Sequence, residues 1–165
     1  MLSRSGWSGL VTDIDSSASY PLGTLRESED GSPGQATAGA KVFRYVKNAE
    51  AATAFAVGNV IQRKASTDSM GDGIVCATTD VYEGAILGVA VSAIPAGSYG
   101  WVQVKGRNAS LVTDGNVAAG DPVGSHGGTL AGSVYTVTKG LGTDFAYAPV
   151  ADTGTVGTVI LNIAL

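Results

Sequence analysis

Short apolar runs alternate with tight-turn signals over most of this chain, and this alternation limits the folds that the chain can adopt. The runs are rich in Val, Ile, Thr, Tyr and Phe and lie at 42–47, 60–65, 74–79, 85–93, 99–105, 110–113, 133–139, 145–150 and 155–165. Between them stand turn sequences such as Gly71-Asp72-Gly73 and Pro95-Ala96-Gly97. Many short strands separated by regular turns predict an all-β sandwich or barrel.

Two segments test this interpretation at the level of single residues. In Trp101-Val102-Gln103-Val104-Lys105 the two valines alternate with Trp, Gln and Lys, which predicts a strand with the valines on one face. The segment 49–57 has a helical pattern, with Asn48 as a possible cap and Gly58 as a stop. An extended conformation there is the alternative.

A weak internal repeat links FAVGNVI at 55–61 with VAAGDPV at 117–123. Both carry Gly followed by Asn or Asp just before a strand-like run. This order predicts a turn in which Gly takes a positive φ and the Asn or Asp side chain bonds the backbone. The repeat is either a duplicated half-barrel or one turn used twice, and the second interpretation is favoured.

Charge is scarce in this chain. Only 15% of the residues are charged, whereas 44% are hydrophobic. A surface so poor in charge favours association with other subunits over a monomeric state in water. The net charge of −4 and the scattered Lys and Arg residues argue against direct nucleic-acid binding, which needs clustered cations.

Residues 1–40 differ from the rest of the chain because Ser, Gly, Asp and Pro dominate them. Such a segment cannot build its own core. It nevertheless carries spaced large apolar residues, which we interpret as partner contacts: Trp7, Leu10, Val11, Ile14, Tyr20, Leu22 and Leu25. The sequence therefore predicts an extended N-terminal arm over 1–40 and a body over 41–165. The alternative is that the segment packs on its own domain.

The C-terminal run 155–165 is apolar up to its last residue. Val159, Leu161, Ile163 and Leu165 share one face of the predicted strand. Because chain ends usually fray, this strand must be held in a sheet or a subunit contact. We therefore include Leu161, Ile163 and Leu165 among the candidate partner-binding residues.

Catalytic and metal-binding patterns are missing from the sequence. The single Cys76 lies in an apolar run, and the single His126 lies in a Gly-rich loop. One His and one Cys fall short of a zinc site, and no nucleophile–base pair can be assembled. Asp13/Asp15 and Asp68/Asp72 lack the remaining ligands of a calcium loop. We predict no enzyme activity, no cofactor and no metal.

The ends and the hydropathy of the chain bear on its location. The first seven residues contain no apolar run that could serve as a signal peptide. The sequence also has no uncharged apolar stretch near 18 residues, a length typical of a membrane span. We expect synthesis in the cytoplasm and no membrane contact.

Five segments of the chain form a recognisable series: YPLGT at 20–24, VFRYVKN at 42–48, GAILGVAV at 84–91, IPAGSYGWVQVKG at 94–106 and NVAAGDPV at 116–123. They resemble a recurrent stretch in tailed-bacteriophage virion proteins, and in this order they are similar to head decoration (capsid cement) proteins, which are made in the host cytoplasm. The resemblance covers about residues 20–130, and its motifs are turn-and-strand patterns.

The resemblance implies a small, β-tulip-like barrel or sandwich that is not an enzyme and forms a homotrimer. It implies a place on the exterior of the virion capsid, where the protein bridges and stabilises major capsid protein subunits. The alternatives are a tail, fibre or baseplate component, or a carbohydrate-binding β module. A hydrolase ranks last.

Overall fold

The computed structural model describes residues 9–30, 39–64, 71–75, 86–124, 132–136 and 145–163. Within these ranges the chain contains β-strands, turns and irregular segments, with no helix. The prediction of an all-β fold is therefore confirmed. The strands are β1 Leu25–Asp30, β2 Gly39–Asn48, β3 Val60–Arg63, β4 Asp72–Val75, β5 Ile86–Ala90, β6 Tyr99–Val112, β7 Pro122–Gly124, β8 Tyr135–Thr136, β9 Ala146–Tyr147 and β10 Val156–Asn162.

The strand pairings close a ring. They follow the order β1-β2-β4-β3-β5-β6-β10-β9-β7-β8, and β2 also pairs with β6. This extra pairing joins β2, β4, β3, β5 and β6 into a circuit, in which β2 and β4 are parallel and the other neighbours antiparallel. Strand β1 extends the circuit beyond β2, and β10, β9, β7 and β8 extend it beyond β6. The result is the barrel-like architecture that the turn pattern predicts.

Strand β6 is the longest of the described strands, with 14 residues, and it bends in the middle. Its first half pairs with β2 and β5, and its second half pairs with β10. Gly106 has a φ of 91°, and a Cβ there would lie 2.7 Å from the carbonyl oxygen of Ala40. The sequence predicts two strands, 99–105 and 110–113, whereas the structure has one strand bent at this glycine.

A buried amide pair holds the bend of β6. The Gln103 Nε2 donates to the carbonyl oxygens of Lys105 at 3.0 Å and Arg107 at 3.1 Å. The Gln103 Oε1 accepts from Asn108 Nδ2 at 3.2 Å, and Asn108 Oδ1 accepts from the Ser110 N–H. These bonds satisfy the backbone groups that the irregular register leaves unpaired.

The two larger apolar cores that the described residues form share strands β3, β5 and β6. One includes residues of the ring and the turns beside it: Val46, Phe55, Ile61, Leu87, Ala90, Ile94 and Val102. The other extends from β3, β5 and β6 to β7, β9 and β10 and includes Val60, Val104, Leu111, Val123, Phe145, Val159 and Leu161. Val102 and Val104 are both fully buried, as the alternation in β6 predicts.

The segment 49–57 is not a helix, so that interpretation was wrong and its extended alternative is nearer to the structure. Asn48 does bond the next backbone, since its Oδ1 accepts from the Glu50 N–H. Its Nδ2, however, donates to the carbonyl oxygens of Thr53 and Ile94, which holds an irregular loop. Phe55 then forms an isolated bridge with Ile94 and is completely buried. Tertiary pairing outweighs the weak helical pattern here.

The two copies of the internal repeat form the same turn. Gly58 and Gly120 have φ values of 85° and 90°. Asn59 accepts a hydrogen bond on its side chain from the Ala56 N–H at 2.8 Å, and Asp121 accepts the equivalent bond from Ala118 at 2.9 Å. The turn geometry predicted from the repeat is therefore confirmed.

Candidate interaction surfaces

The N-terminal strap, which we define as residues 9–24, lies across one face of the sheet. Asp15 pairs with Tyr99 through two backbone hydrogen bonds of 2.9 and 3.0 Å. Further along, the Gly23 N–H donates to the Tyr45 carbonyl oxygen at 2.8 Å, and the Tyr45 N–H donates to the Thr24 carbonyl oxygen at 2.9 Å. The strap then continues into β1, which pairs with β2 along its whole length.

Beneath the strap lies the aromatic cluster, defined as Phe43, Tyr45 and Trp101. Their side chains project from the face of β2 and β6 opposite to Val102, and they are 4%, 0% and 2% exposed. Tyr20 from the strap packs on two of them, with ring centroids 5.2 Å from Tyr45 and 5.4 Å from Trp101. The strap thus covers a sheet face that would otherwise expose three large aromatic side chains.

The Tyr45 hydroxyl connects the strap to the sheet. It donates to Asp15 Oδ2 at 2.5 Å and accepts from the Ser19 N–H at 3.2 Å. Burial of the phenol, with the hydrogen bond and the negative charge of Asp15 adding to it, raises the pKa of Tyr45 to about 12. The neutral phenol is therefore the form that the folded state prefers.

This preference predicts a pH effect on stability. The ordinary pKa of tyrosine is 10.0, and the folded-state pKa is about 12. The stabilising contribution is therefore complete below pH 10 and is lost as the pH rises towards 12. We expect the free energy of unfolding in urea, measured across this interval, to fall less steeply in Tyr45→Phe than in the unmodified protein.

Tyr147→Phe is the matched control for this measurement, because Tyr147 is 50% exposed on β9. It should keep the pH dependence of the unmodified protein. An equally steep fall in Tyr45→Phe would contradict the assignment of this effect to the Tyr45 hydroxyl.

The candidate partner residues of the strap divide between its two sides. Val11, Tyr20 and Leu22 are partly buried on the aromatic cluster. Leu10 is 67% exposed and Ile14 is 37% exposed, so these two remain accessible. Leu25 is the first residue of β1 and pairs with Arg44. Trp7 lies outside the described residues.

Residues 9–30 thus pack on their own chain, which is the alternative interpretation of the N-terminal segment. The described part of the segment covers the sheet with one side and exposes Leu10 and Ile14. A contact of these two residues with another protein stays a prediction. The proposed boundary at residue 40 falls inside β2.

The candidate residues of the C-terminal strand lie in the interior. Leu161 is 2% exposed and Ile163 is 3% exposed, and both belong to the chain's own core. Their side chains are therefore not available to a partner in this structure, because β10 pairs with β6 and β9 and turns this face inward. Leu165 lies outside the described residues.

The opposite side of β10 is the surface that sequence reasoning missed. Burial alternates along the strand, so Val156, Thr158 and Ile160 share the side that faces away from the core. Tyr147 of β9 pairs with Ile160 and extends this side. We call Tyr147, Val156, Thr158 and Ile160 the outer β10 face. Val156 is 46% exposed and Tyr147 is 50% exposed. The period-2 pattern of 155–165 contains the signal for this face, because Val156 and Ile160 alternate with the residues of the buried face.

Arg44 is the buried cation of β2, with 8% exposure. Its Nη1 donates to the Leu87 carbonyl oxygen at 3.4 Å. Desolvation lowers the pKa of this guanidinium, which remains protonated because arginine titrates far above neutral pH. The bond to β5 indicates a structural role inside the ring.

The described ranges bear on two further kinds of site, metal centres and membrane spans. No cluster of three or more His, Cys, Asp or Glu side chains there is arranged to hold a metal ion. The same ranges contain no helix of sufficient length and hydrophobicity to span a membrane. Cys76 and His126 lie outside these ranges.

Comparison of the chain with protein-family models, with curated proteins and with solved structures finds no match.

Proposed function

We propose that this chain is a non-enzymatic structural protein of a tailed-phage virion. It binds the exterior of the capsid as a homotrimer and stabilises the shell by bridging major capsid protein subunits. The observation that carries this proposal is the outer β10 face, on which Val156 and Tyr147 are about half exposed. In a chain with only 15% charged residues, an apolar sheet face of this kind fits permanent contact with protein neighbours.

Further support comes from the segments that resemble decoration proteins. Residues 94–106 and 42–48 belong to β6 and β2 and to the turns beside them, so they build the ring itself. A rigid ring suits a protein whose work is mechanical, because an interior packed at crystal-like density resists deformation. Separating such a protein from the shell would re-expose apolar surface at about 25 cal/mol per Å², and repeated copies add avidity.

Co-sedimentation with empty capsids of the phage that encodes the chain tests the proposal. We expect saturable binding of the full-length protein with a stoichiometry set by capsid symmetry. Val156→Asp should weaken binding at least about tenfold, because an unpaired carboxylate becomes buried in the contact. Val57→Asp is the matched control, since Val57 is also 46% exposed but lies in the turn before β3.

Absence of binding, or equal binding by both aspartate variants, would contradict the capsid contact through the outer β10 face. A tail, fibre or baseplate location is the second candidate within the same class. Labelling the protein on intact particles separates the two. The label on a tail component lies at the single tail of each particle, whereas the label on a decoration protein covers the whole shell.

A further inference from the structure

A cleft of about 420 Å³ opens between the N-terminal strap and the sheet. Its walls include Asp13, Asp15, Ser19 and Tyr20 from the strap, Arg26 from β1 and Trp101 from β6. Pockets that bind small molecules have volumes of roughly 300 to 1,000 Å³. The cleft therefore has room for a small ligand, and the proposed capsid contact does not use it.

The charged groups of the cleft are only partly occupied by the protein. Asp13 Oδ2 accepts from the Leu10 N–H at 2.6 Å, and Asp15 Oδ2 accepts from the Tyr45 hydroxyl. Among the described residues, the second oxygen of each carboxylate has no hydrogen-bond donor and is an acceptor for a ligand. Arg26 Nη1 donates to the Gly9 carbonyl oxygen at 2.8 Å, which leaves its other N–H groups as donors.

These groups together select a class of ligand. Two carboxylates beside one guanidinium give the lining a net negative charge, which disfavours phosphate and other anions. Carboxylate oxygens accept from hydroxyl groups and the guanidinium donates to hydroxyl or ring oxygens, all as charge-assisted hydrogen bonds. Tyr20 and Trp101 also line the cleft, so its walls combine aromatic with polar groups, as in sites that take sugar rings. We infer that the strap cleft binds a neutral saccharide.

This inference assigns a glycan-binding role in addition to the structural one, and it does not depend on capsid attachment. The probe is an array of neutral oligosaccharides built from hexoses, N-acetylhexosamines and 6-deoxyhexoses, followed by calorimetric titration of the full chain with the sugar retained. We expect saturable binding at one site. Binding should persist at 1 M salt, where the Debye length is about 3 Å, because the ligand carries no charge.

Two variants locate the site. Asp13→Asn and Arg26→Gln should each weaken the saccharide about tenfold, since each removes a charge-assisted hydrogen bond. Asn retains a side-chain oxygen for the Leu10 N–H, so the strap should stay in place. The matched control is Asp114→Asn, because Asp114 bonds a nearby backbone N–H in the same way but does not line the cleft.

The possible results separate clearly. Failure of every oligosaccharide to bind overturns the inference, as does binding that disappears at 1 M salt, because a neutral sugar held in the cleft should be insensitive to ionic strength. Equal affinity of the control and the two cleft variants overturns it too. Capsid binding is measured separately with Val156→Asp, so the proposed function can fail while the saccharide site stands, and the reverse.

Discussion

Replacing Gly58 with alanine is expected to destabilise the protein by at least about 4 kcal/mol. Gly58 has a φ of 85°, and a Cβ built there would lie 1.9 Å from the carbonyl oxygen of Ser110 and 3.1 Å from the backbone nitrogen of Val112. These are backbone atoms of β6, so no side chain can rotate away. Relieving the clash would also stretch two hydrogen bonds, from the Gly58 N–H to the Ala90 carbonyl oxygen and from the Val112 N–H to the Gly58 carbonyl oxygen.

The internal repeat supplies a control at Gly120. This glycine occupies the same position of the same turn with a φ of 90°, but a Cβ there has no neighbour within 4 Å. Gly120→Ala should therefore cost only the left-handed backbone strain, about 1–2 kcal/mol. Urea unfolding of both variants measures the difference. Equal losses of stability would show that β6 does not approach the turn as closely as the structure indicates.

Truncating Tyr45 to alanine is expected to have the second large effect, a loss of about 3–5 kcal/mol of unfolding free energy. The ring is 0% exposed and stands at the centre of the aromatic cluster, with centroids 5.1 Å from Trp101 and 6.1 Å from Tyr99. Its removal leaves a cavity beneath the strap and takes away the hydroxyl that bonds Asp15. The strap should loosen as a result.

Tyr147→Ala and Tyr45→Phe complete this experiment. Tyr147 is half exposed, so its truncation should cost less than about 1 kcal/mol. Tyr45→Phe keeps the packing and removes only the hydroxyl, which should cost about 1–2 kcal/mol. Hydrogen exchange of the Asp15 and Gly23 N–H groups reports strap loosening. Unchanged protection of these amides in Tyr45→Ala would contradict a strap held by the aromatic cluster.

The sequence predicts the local features of this fold well. The alternation in 101–105 identifies Val102 and Val104 as core residues, because a strand has two faces and a period of two. The turns at Gly58 and Gly120 are predicted because their geometry depends on adjacent residues alone. All these interactions lie within a few residues along the chain.

The features of the fold that the sequence does not predict depend on contacts between distant segments of the chain. Strand β1 contains Arg26, Glu27, Glu29 and Asp30, a composition unfavourable for a strand, and pairing with β2 stabilises it. As an outer strand it also benefits from these charges, which oppose pairing with other chains. Trp101 points away from the valines as predicted, yet it is buried, because the strap covers it.

The candidate sites also depend on contacts that local sequence patterns do not reveal. Periodicity places Val159, Leu161 and Ile163 on the more apolar face of 155–165, since Thr158 and Asn162 lie on the other. It cannot tell whether that face meets the chain's own core or a partner. Leu161 and Ile163 were chosen as partner contacts, and the structure exposes Val156 instead. The cleft beside the strap joins residues of 13–26 with Trp101, and no local pattern connects these parts of the chain.

The position of β6 at the junction of the sheet has a consequence for biosynthesis. This strand pairs with β2, which is made long before it, and with β10, which is made long after it. Until β6 has left the ribosome the circuit of strands stays open, and pairings between distant segments form slowly. The nascent chain therefore exposes unpaired strand edges during translation, a state prone to aggregation. Binding of a general chaperone to the growing polypeptide should be strongest before residue 112 emerges and should decline once β10 has emerged.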